Sequence, residues 1–321
     1  MLTLEELMRI EPLTGVAVPQ LGTPESGKVR DIFRLGERRL MVTTDRISAF
    51  DRIIGAVPCK GQVLNQLTAW WMNQTRDVVA NHLLDLPHPN VIVAIEAEPL
   101  PVEVIVRGYI TGVTPTSLWT MYLKGDRKPY GVRLPDGLRK NDALPHPIIT
   151  PTTKAAKGGR DQQLTCEQVV REGLVEENLW NQVQEAALAL FARGQERARS
   201  AGLILADTKY EFGLDKGRLM LIDELHTADS SRFWQDEPRP GEEPRNLDKE
   251  VLRLWLASTG FQGEGAPPEL PGDRAAAIAM VYIELYERLT GEVFHPAASP
   301  VAEHVARCLE HQADLVGRNS P

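Results

Sequence analysis

The chain has 321 residues, 42% of them hydrophobic and 25% charged, with a net charge of −8. That balance fits a soluble globular protein too long for one small core, and its acidity argues against general nucleic-acid binding, which needs a basic footprint. The cysteines, Cys59, Cys166 and Cys308, are odd in number and far apart, which points to a reducing compartment rather than a disulfide framework. The start, MLTLEELMRIEPL, lacks a basic leader, and no apolar run reaches the length of a membrane span. The expectation is a cytoplasmic enzyme or binding protein with no membrane or nucleic-acid partner.

In chain order, residues 1–10 read as a short amphipathic helix. Residues 29–44 read as strand, Gly-Glu turn, strand. Residues 63–74 place Val63, Leu64, Leu67, Trp70 and Trp71 on one helical face. VIVAIEA and VEVIVRGYI are β-rich runs. Residues 112–165 show no sustained period and are rich in Gly, Pro and Thr, as functional or irregular segments are. Residues 166–201 read as helical, with Trp180, Val183, Ala187 and Phe191 as a core stripe. Three helices are expected at 248–258, 273–289 and 299–316, with Asp248 and Ser299 as N-caps.

The densest chemistry lies at 207–234, DTKYEFGLDKGRLMLIDELHTADSSRFW. It reads as a β-hairpin turning at Asp215-Lys216-Gly217, Gly217 supplying the positive φ of a three-residue loop. In that register Lys209 faces Asp223, and Asp207, Lys209, Glu211 and Asp223 share one face. Tyr210, Phe212, Met220 and Ile222 form the other. Glu211 and Asp223 become diagonal neighbours roughly 7–8 Å apart, close enough to hold a cation between them. Mg²⁺ needs no more protein ligands than that, because water and phosphate oxygens complete its shell. A charged strand face that is merely solvated is the competing reading. A shift of one residue would put Glu211 and Asp223 on opposite faces.

Anion-binding candidates are scattered. Gly22 to Lys28 matches GxxxxGK, but Val29 follows and a strand begins, so this is not a P-loop. Gly27 and Lys28 could still cover a nucleotide phosphate from a hairpin, or be an ordinary turn. TTDRISAFD places Asp45, Arg46, Ser48 and Asp51 at a strand end. KGQ at 60–62 opens a helix, whose N-terminus could take an anion. In VEVIVRG the alternation puts Val102, Val104 and Val106 on one side and Glu103, Ile105 and Arg107 on the other; Arg107 could anchor a phosphate or form a structural ion pair. The histidines show no metal-ligand spacing.

SGKVRDIF, TTDRISAFD, KGQVLNQL, VEVIVRGYITG, TSLW, PIITPTTKA, LADTKYEFG and LIDELHTADSSRFW together resemble the SAICAR synthetase (phosphoribosylaminoimidazole-succinocarboxamide synthase) family over roughly residues 20–235. The resemblance implies an ATP- and Mg²⁺-dependent ligase of purine biosynthesis. Such an enzyme joins the carboxylate of carboxyaminoimidazole ribotide (CAIR) to L-aspartate through an acyl phosphate. It implies an α+β fold with an N-terminal antiparallel sheet domain (1–112) over the nucleotide, an α+β domain (113–235) carrying the hairpin, and a C-terminal helical segment (236–321). Carried over by motif, Gly27, Lys28 and Arg30 belong to the nucleotide site and Glu211 and Asp223 to the metal. Arg107, Ser117 and Arg232 belong to the ribotide phosphate; Thr114 or Thr116 could replace Ser117, because residues 113–116 are extra relative to the shorter family form. Asp207 and Lys209 are catalytic candidates. Asp229, Ser48, Asp51 and Asp161 are candidates for the substrates, and residues 96–98 for adenine. The competing activity is a small-molecule kinase on a related scaffold. Oligomeric state is not implied.

Overall fold

The computed structural model describes residues 2–114, 116–154, 161–239 and 242–318. Helix α1 (Leu4–Arg9) is closed by a capping box between Thr3 and Glu6. There follow β1 (Glu25–Ser26), β2 (Arg30–Leu35), β3 (Arg38–Thr43), the small hairpin β4 (Arg46–Ala49) and β5 (Arg52–Ala56), helix α2 (Lys60–Gln74), β6 (Leu83–His88) and β7 (Val91–Ile95). The first sheet has the order β1-β2-β3-β7-β6, with every pairing antiparallel. The next elements are β8 (Glu98–Tyr109), α3 (Leu118–Leu123), β9 (Ala143–Thr153), α4 (Cys166–Arg171), α5 (Glu177–Ser200), β10 (Ile204–Asp215), β11 (Arg218–Ile222) and β12 (Ser231–Trp234). They build a second antiparallel sheet, β11-β10-β8-β9, with β12 also on β10. Helices α6 (Glu250–Ser258), α7 (Gly272–Thr290) and α8 (Val301–Arg318) end the described chain. This is the α+β architecture the sequence implies.

The second sheet has one apolar face because its strands alternate. Val102, Val104 and Val106 on β8 and Tyr210 and Phe212 on β10 point into the main core. There they meet Trp180, Val183, Ala187 and Phe191 of α5 and the buried faces of α2 and α7. The first sheet has a separate core, in which Phe33, Leu40, Val42, Val91 and Val93 pack against Val301, Val305 and Leu309 of α8. The last helix therefore belongs with the first sheet, while α6 and α7 belong with the main core. Sheet membership changes at residues 96–97, ahead of the division at 112 expected from sequence, because β8 pairs with β9 and β10.

Two sequence readings change. Residues 112–165 contain an eleven-residue strand, β9, along the free side of β8. Pro145, Pro147 and Pro151 hid it, since proline breaks the strand pattern but is tolerated at a sheet edge. Residues 166–201 form two helices, not one, separated at Gly173, whose φ is 71°.

Candidate active site

Register decides the site, and it differs by one residue from the expectation. Asp215 pairs with Arg218 and Glu211 with Ile222, so the turn is the two-residue Lys216-Gly217, with φ of 51° and 81°. Both values are positive, as a type I′ hairpin turn requires. The shift sends Leu219 and Leu221 towards the main core and leaves Met220 and Ile222 on the carboxylate side, packed with Ala97. On an unbroken strand Asp223 would then point away from Glu211. Asp223 instead follows the last ladder residue and has φ of 66°, a left-handed residue that ends the alternation.

Around these carboxylates stands a compact charged group. On β10 the Lys209 ammonium sits 2.9 Å from Glu103 Oε1 and 2.6 Å from Glu211 Oε1. Lys154, just past β9, pairs with the other oxygen of Glu211. Arg30 reaches from β2 to pair with Asp223 and lies 3.4 Å from Glu224. Burial opposes charge on Lys209, but Glu211, Glu103 and Asp223 outweigh it and hold the ammonium protonated. Burial would raise the Glu211 carboxyl, yet Lys209 and Lys154 pull it down to about 2. Arg30 is likewise held charged against burial by Asp223, Glu224, Asp229 and Glu211. Glu211 and Asp223 thus share their cationic neighbours although the ladder alone would have parted them.

Two residues along β10, the same face carries a second group. Arg107 of β8, Asp207 of β10 and Arg232 of β12 are side by side across three strands. Asp207 lies 3.5 Å from Arg107 and 2.5 Å from Arg232, so one carboxylate orients both guanidinium groups. Thr150 Oγ1 accepts a 2.9 Å hydrogen bond from Arg107 Nε. Ser117 joins them through Gly112, where φ is 96° and a Cβ would lie 2.6 Å from Ser117 Cβ and 3.7 Å from Arg232 Nη2. Of the three hydroxyl candidates, Ser117 is buried against this glycine, whereas Thr114 and Thr116 face each other at 3.4 Å nearer the surface.

The Gly27-Lys28 turn is held from below by Arg46, which donates to the Gly27 and Lys28 carbonyls at 3.1 and 3.3 Å and pairs with Asp31 at 2.8 Å. The strand that follows Lys28 excludes a P-loop. Lys28 pairs with Asp51, at the exposed tip of the β4–β5 hairpin, while Arg52 donates to the Gly265 carbonyl at 2.7 Å. Ser48 is buried in β4. Asp161 is exposed; burial raises the Glu103 carboxyl against the pull of Lys209, and Glu211 and then Asp161 add to the rise. Glu96 is taken by Arg39, at 2.6 Å, and Arg34.

The amide of Gly61 at the start of α2 donates 2.7 Å to Asp45, which also accepts from Leu13 at 2.8 Å, so this helix end carries the chain's own carboxylate. Asp229 is buried: its side chain is 4% exposed, 3.0 Å from Lys60 Nζ, 3.4 Å from Lys249 Nζ and 2.7 Å from the Tyr282 hydroxyl. Lys249 and Lys60 hold its carboxyl well below the usual range against the opposing effect of burial. These partners come from α2, the residue that precedes α6, and α7, and no local pattern announces them. Glu103 was legible, because it alternates with Arg107. His226 is a core residue, 2.6 Å from the Tyr210 hydroxyl and stacked edge-on with Trp71; burial drives it down to about 3, so it is neutral.

Comparison with known proteins now bears on this arrangement. The family profile described as SAICAR synthetase matches residues 24–268. The chain belongs to the SAICAR synthetase family. It is 46% identical over 309 residues to the phosphoribosylaminoimidazole-succinocarboxamide synthase of Legionella pneumophila (strain Lens), covering 93% of this chain and 98% of that one. It is 43% identical over 299 residues to the chloroplastic enzyme of Arabidopsis thaliana, covering 90% and 72%. The SAICAR synthase of Saccharomyces cerevisiae complexed with SAICAR has the same fold with a TM-score of 0.78 and 33% identity, over 88% of this chain and all of that one. Within the SAICAR synthetase match fall β2, both sheets and every charged group above.

Proposed function

We propose that this chain joins the carboxylate of CAIR to the amine of L-aspartate at the expense of ATP, giving SAICAR, ADP and phosphate, and that the face of β10 is the ruler on which it does so. The observation that carries this is the spacing of Asp207, Lys209 and Glu211. Alternate residues on one strand face put the arginine-flanked Asp207 and the cation-ringed Glu211 roughly 13 Å apart, with Lys209 between them. A phosphate monoester fits at Arg107, Ser117 and Arg232, where forked guanidinium groups can grip a dianion. The reacting carboxylate then lies toward Lys209, and the nucleotide phosphates lie beyond it, under Lys28 and Arg30.

A carboxylate resists amine attack because oxide is a poor leaving group. Transfer of the γ-phosphoryl group to a CAIR carboxylate oxygen breaks the bond to ADP and gives an acyl phosphate. The aspartate amine then attacks the carbonyl carbon, the C–N bond forms, phosphate departs with the former carboxylate oxygen, and the amine loses its proton. Neither step needs a protein nucleophile; both need positioning and neutralised phosphoryl charge. Lys209 and Arg30, held protonated by their neighbours, supply fixed positive charge along that path.

Among the described residues no cluster of three or more His, Cys, Asp or Glu side chains could hold a metal by itself. Glu211 and Asp223 offer hard carboxylate oxygens and nothing softer, which suits Mg²⁺ when substrate phosphates and water complete its shell. A bound Mg²⁺ would neutralise phosphate charge there. The exposed Asp51 and Asp161 and the buried Ser48 remain our candidates for the aspartate or the imidazole. Asp229 ties the loop between β11 and β12 to Lys60 of α2 and Tyr282 of α7. No helix among the described residues is long and apolar enough to cross a membrane. The free cysteines support a cytoplasmic setting.

With ATP and Mg²⁺ supplied, ADP release is expected only when CAIR and L-aspartate are both present. Accumulation of a stable phosphorylated ribotide without any amine would mark a kinase instead.

A further inference from the structure

Both oxygens of Glu211 are already engaged by ammonium groups, Lys209 on Oε1 and Lys154 on Oε2. The two lysines differ in setting. Lys209 also serves Glu103, whereas no second carboxylate partner is found for Lys154 among the described residues; its side chain is 41% exposed. The Lys154 amide is fixed to the Pro101 carbonyl at 3.0 Å, so its ammonium reaches Glu211 from the rim of the sheet. Among the described residues, Glu103, Glu211, Asp223 and Glu224 pair with Lys154, Lys209 and Arg30, so most of the carboxylate charge here already has a cationic partner. A bare divalent cation entering this group must compete with Lys154 for the same oxygen. A nucleotide polyphosphate brings several negative charges at once and offers the displaced ammonium a new partner.

We propose that Lys154 is a positioning residue that makes divalent-cation binding at Glu211 conditional on the nucleotide. The inference rests on Glu211 being a metal ligand, as proposed above. It follows from linkage: if phosphates free Glu211 by drawing Lys154 away, nucleotide and cation each raise the other's affinity by the same factor. Removing the ammonium gives a distinctive sign, because an ordinary structural loss would weaken metal binding, whereas loss of a competitor tightens it.

The test is Mn²⁺ binding to the full chain, followed by electron paramagnetic resonance with and without ADP, in wild type, Lys154→Met and Glu211→Gln. Lys154→Met is expected to bind Mn²⁺ alone about tenfold more tightly, since one opposing charge beside a carboxylate is worth about one pKa unit or more. Its gain in Mn²⁺ affinity on adding ADP is expected to shrink by a similar factor. Unchanged or weaker Mn²⁺ binding without ADP in Lys154→Met, while Glu211→Gln abolishes binding, would overturn the role of Lys154 and leave the metal assignment standing. Mn²⁺ bound equally well by Glu211→Gln would overturn both. Because Lys154 is part-exposed and Glu211 keeps Lys209, the variant is expected to melt with the wild type, which a thermal scan checks.

Discussion

Glu211→Gln is expected to lower turnover by at least about 10²-fold, the usual loss when one preorganised charge-stabilising group is removed. The change keeps size and shape, and Lys209 retains Glu103 at 2.9 Å, so the fold should survive. The KM for CAIR should move little, because the proposed phosphate anchors lie toward the other end of β10. Turnover near the wild-type value in steady-state assays would remove Glu211 from the chemistry and return the hairpin to a merely charged surface.

Arg232→Ala should act at that other end. Losing a charge-assisted contact to a phosphate dianion costs about 2–3 kcal/mol, or roughly 30- to 150-fold in kcat/KM for CAIR. The KM for ATP should stay close to wild type. Arg232→Lys should restore only part of the loss, because an ammonium keeps the charge but not the planar fork that Asp207 orients. The dephosphorylated riboside of CAIR supplies the control. It lacks the anchored group, so wild type and Arg232→Ala should turn it over at similar, low efficiency. A riboside penalty as large as the ribotide's would mean that Arg232 maintains the sheet and does not grip phosphate. Asp207 keeps Arg107 at 3.5 Å in this variant and is not left alone.

Much of this was readable from the chain because strand alternation is local. The pattern in VEVIVRG put Glu103 and Arg107 on one side of β8, and that side meets Lys209 and Asp207 of β10. The helical stripe of Trp180, Val183, Ala187 and Phe191 was readable for the same reason. The hairpin register was not. Asp-Lys-Gly suggested a three-residue loop ending on glycine, but Lys216 also takes a left-handed φ of 51°. A lysine rarely does so, and nothing in its neighbours signals it. The one-residue slip would have parted Glu211 from Asp223, and the left-handed Asp223 offsets it, a backbone event that periodicity cannot foresee. The partners of Asp229 were hidden for another reason. Lys60, Lys249 and Tyr282 are at least 20 residues away in sequence and meet only once α2, α6 and α7 close the main core. Lys154 escaped notice because its partner is 57 positions along the chain.

Oxygen tracing reads out whether ATP activates the CAIR carboxylate, as proposed. With CAIR carrying ¹⁸O in its carboxylate, ATP, Mg²⁺ and L-aspartate, one labelled oxygen should appear in each inorganic phosphate, because the acyl phosphate departs with the carboxylate oxygen. Unlabelled phosphate accompanying labelled SAICAR would show that no acyl phosphate of CAIR forms.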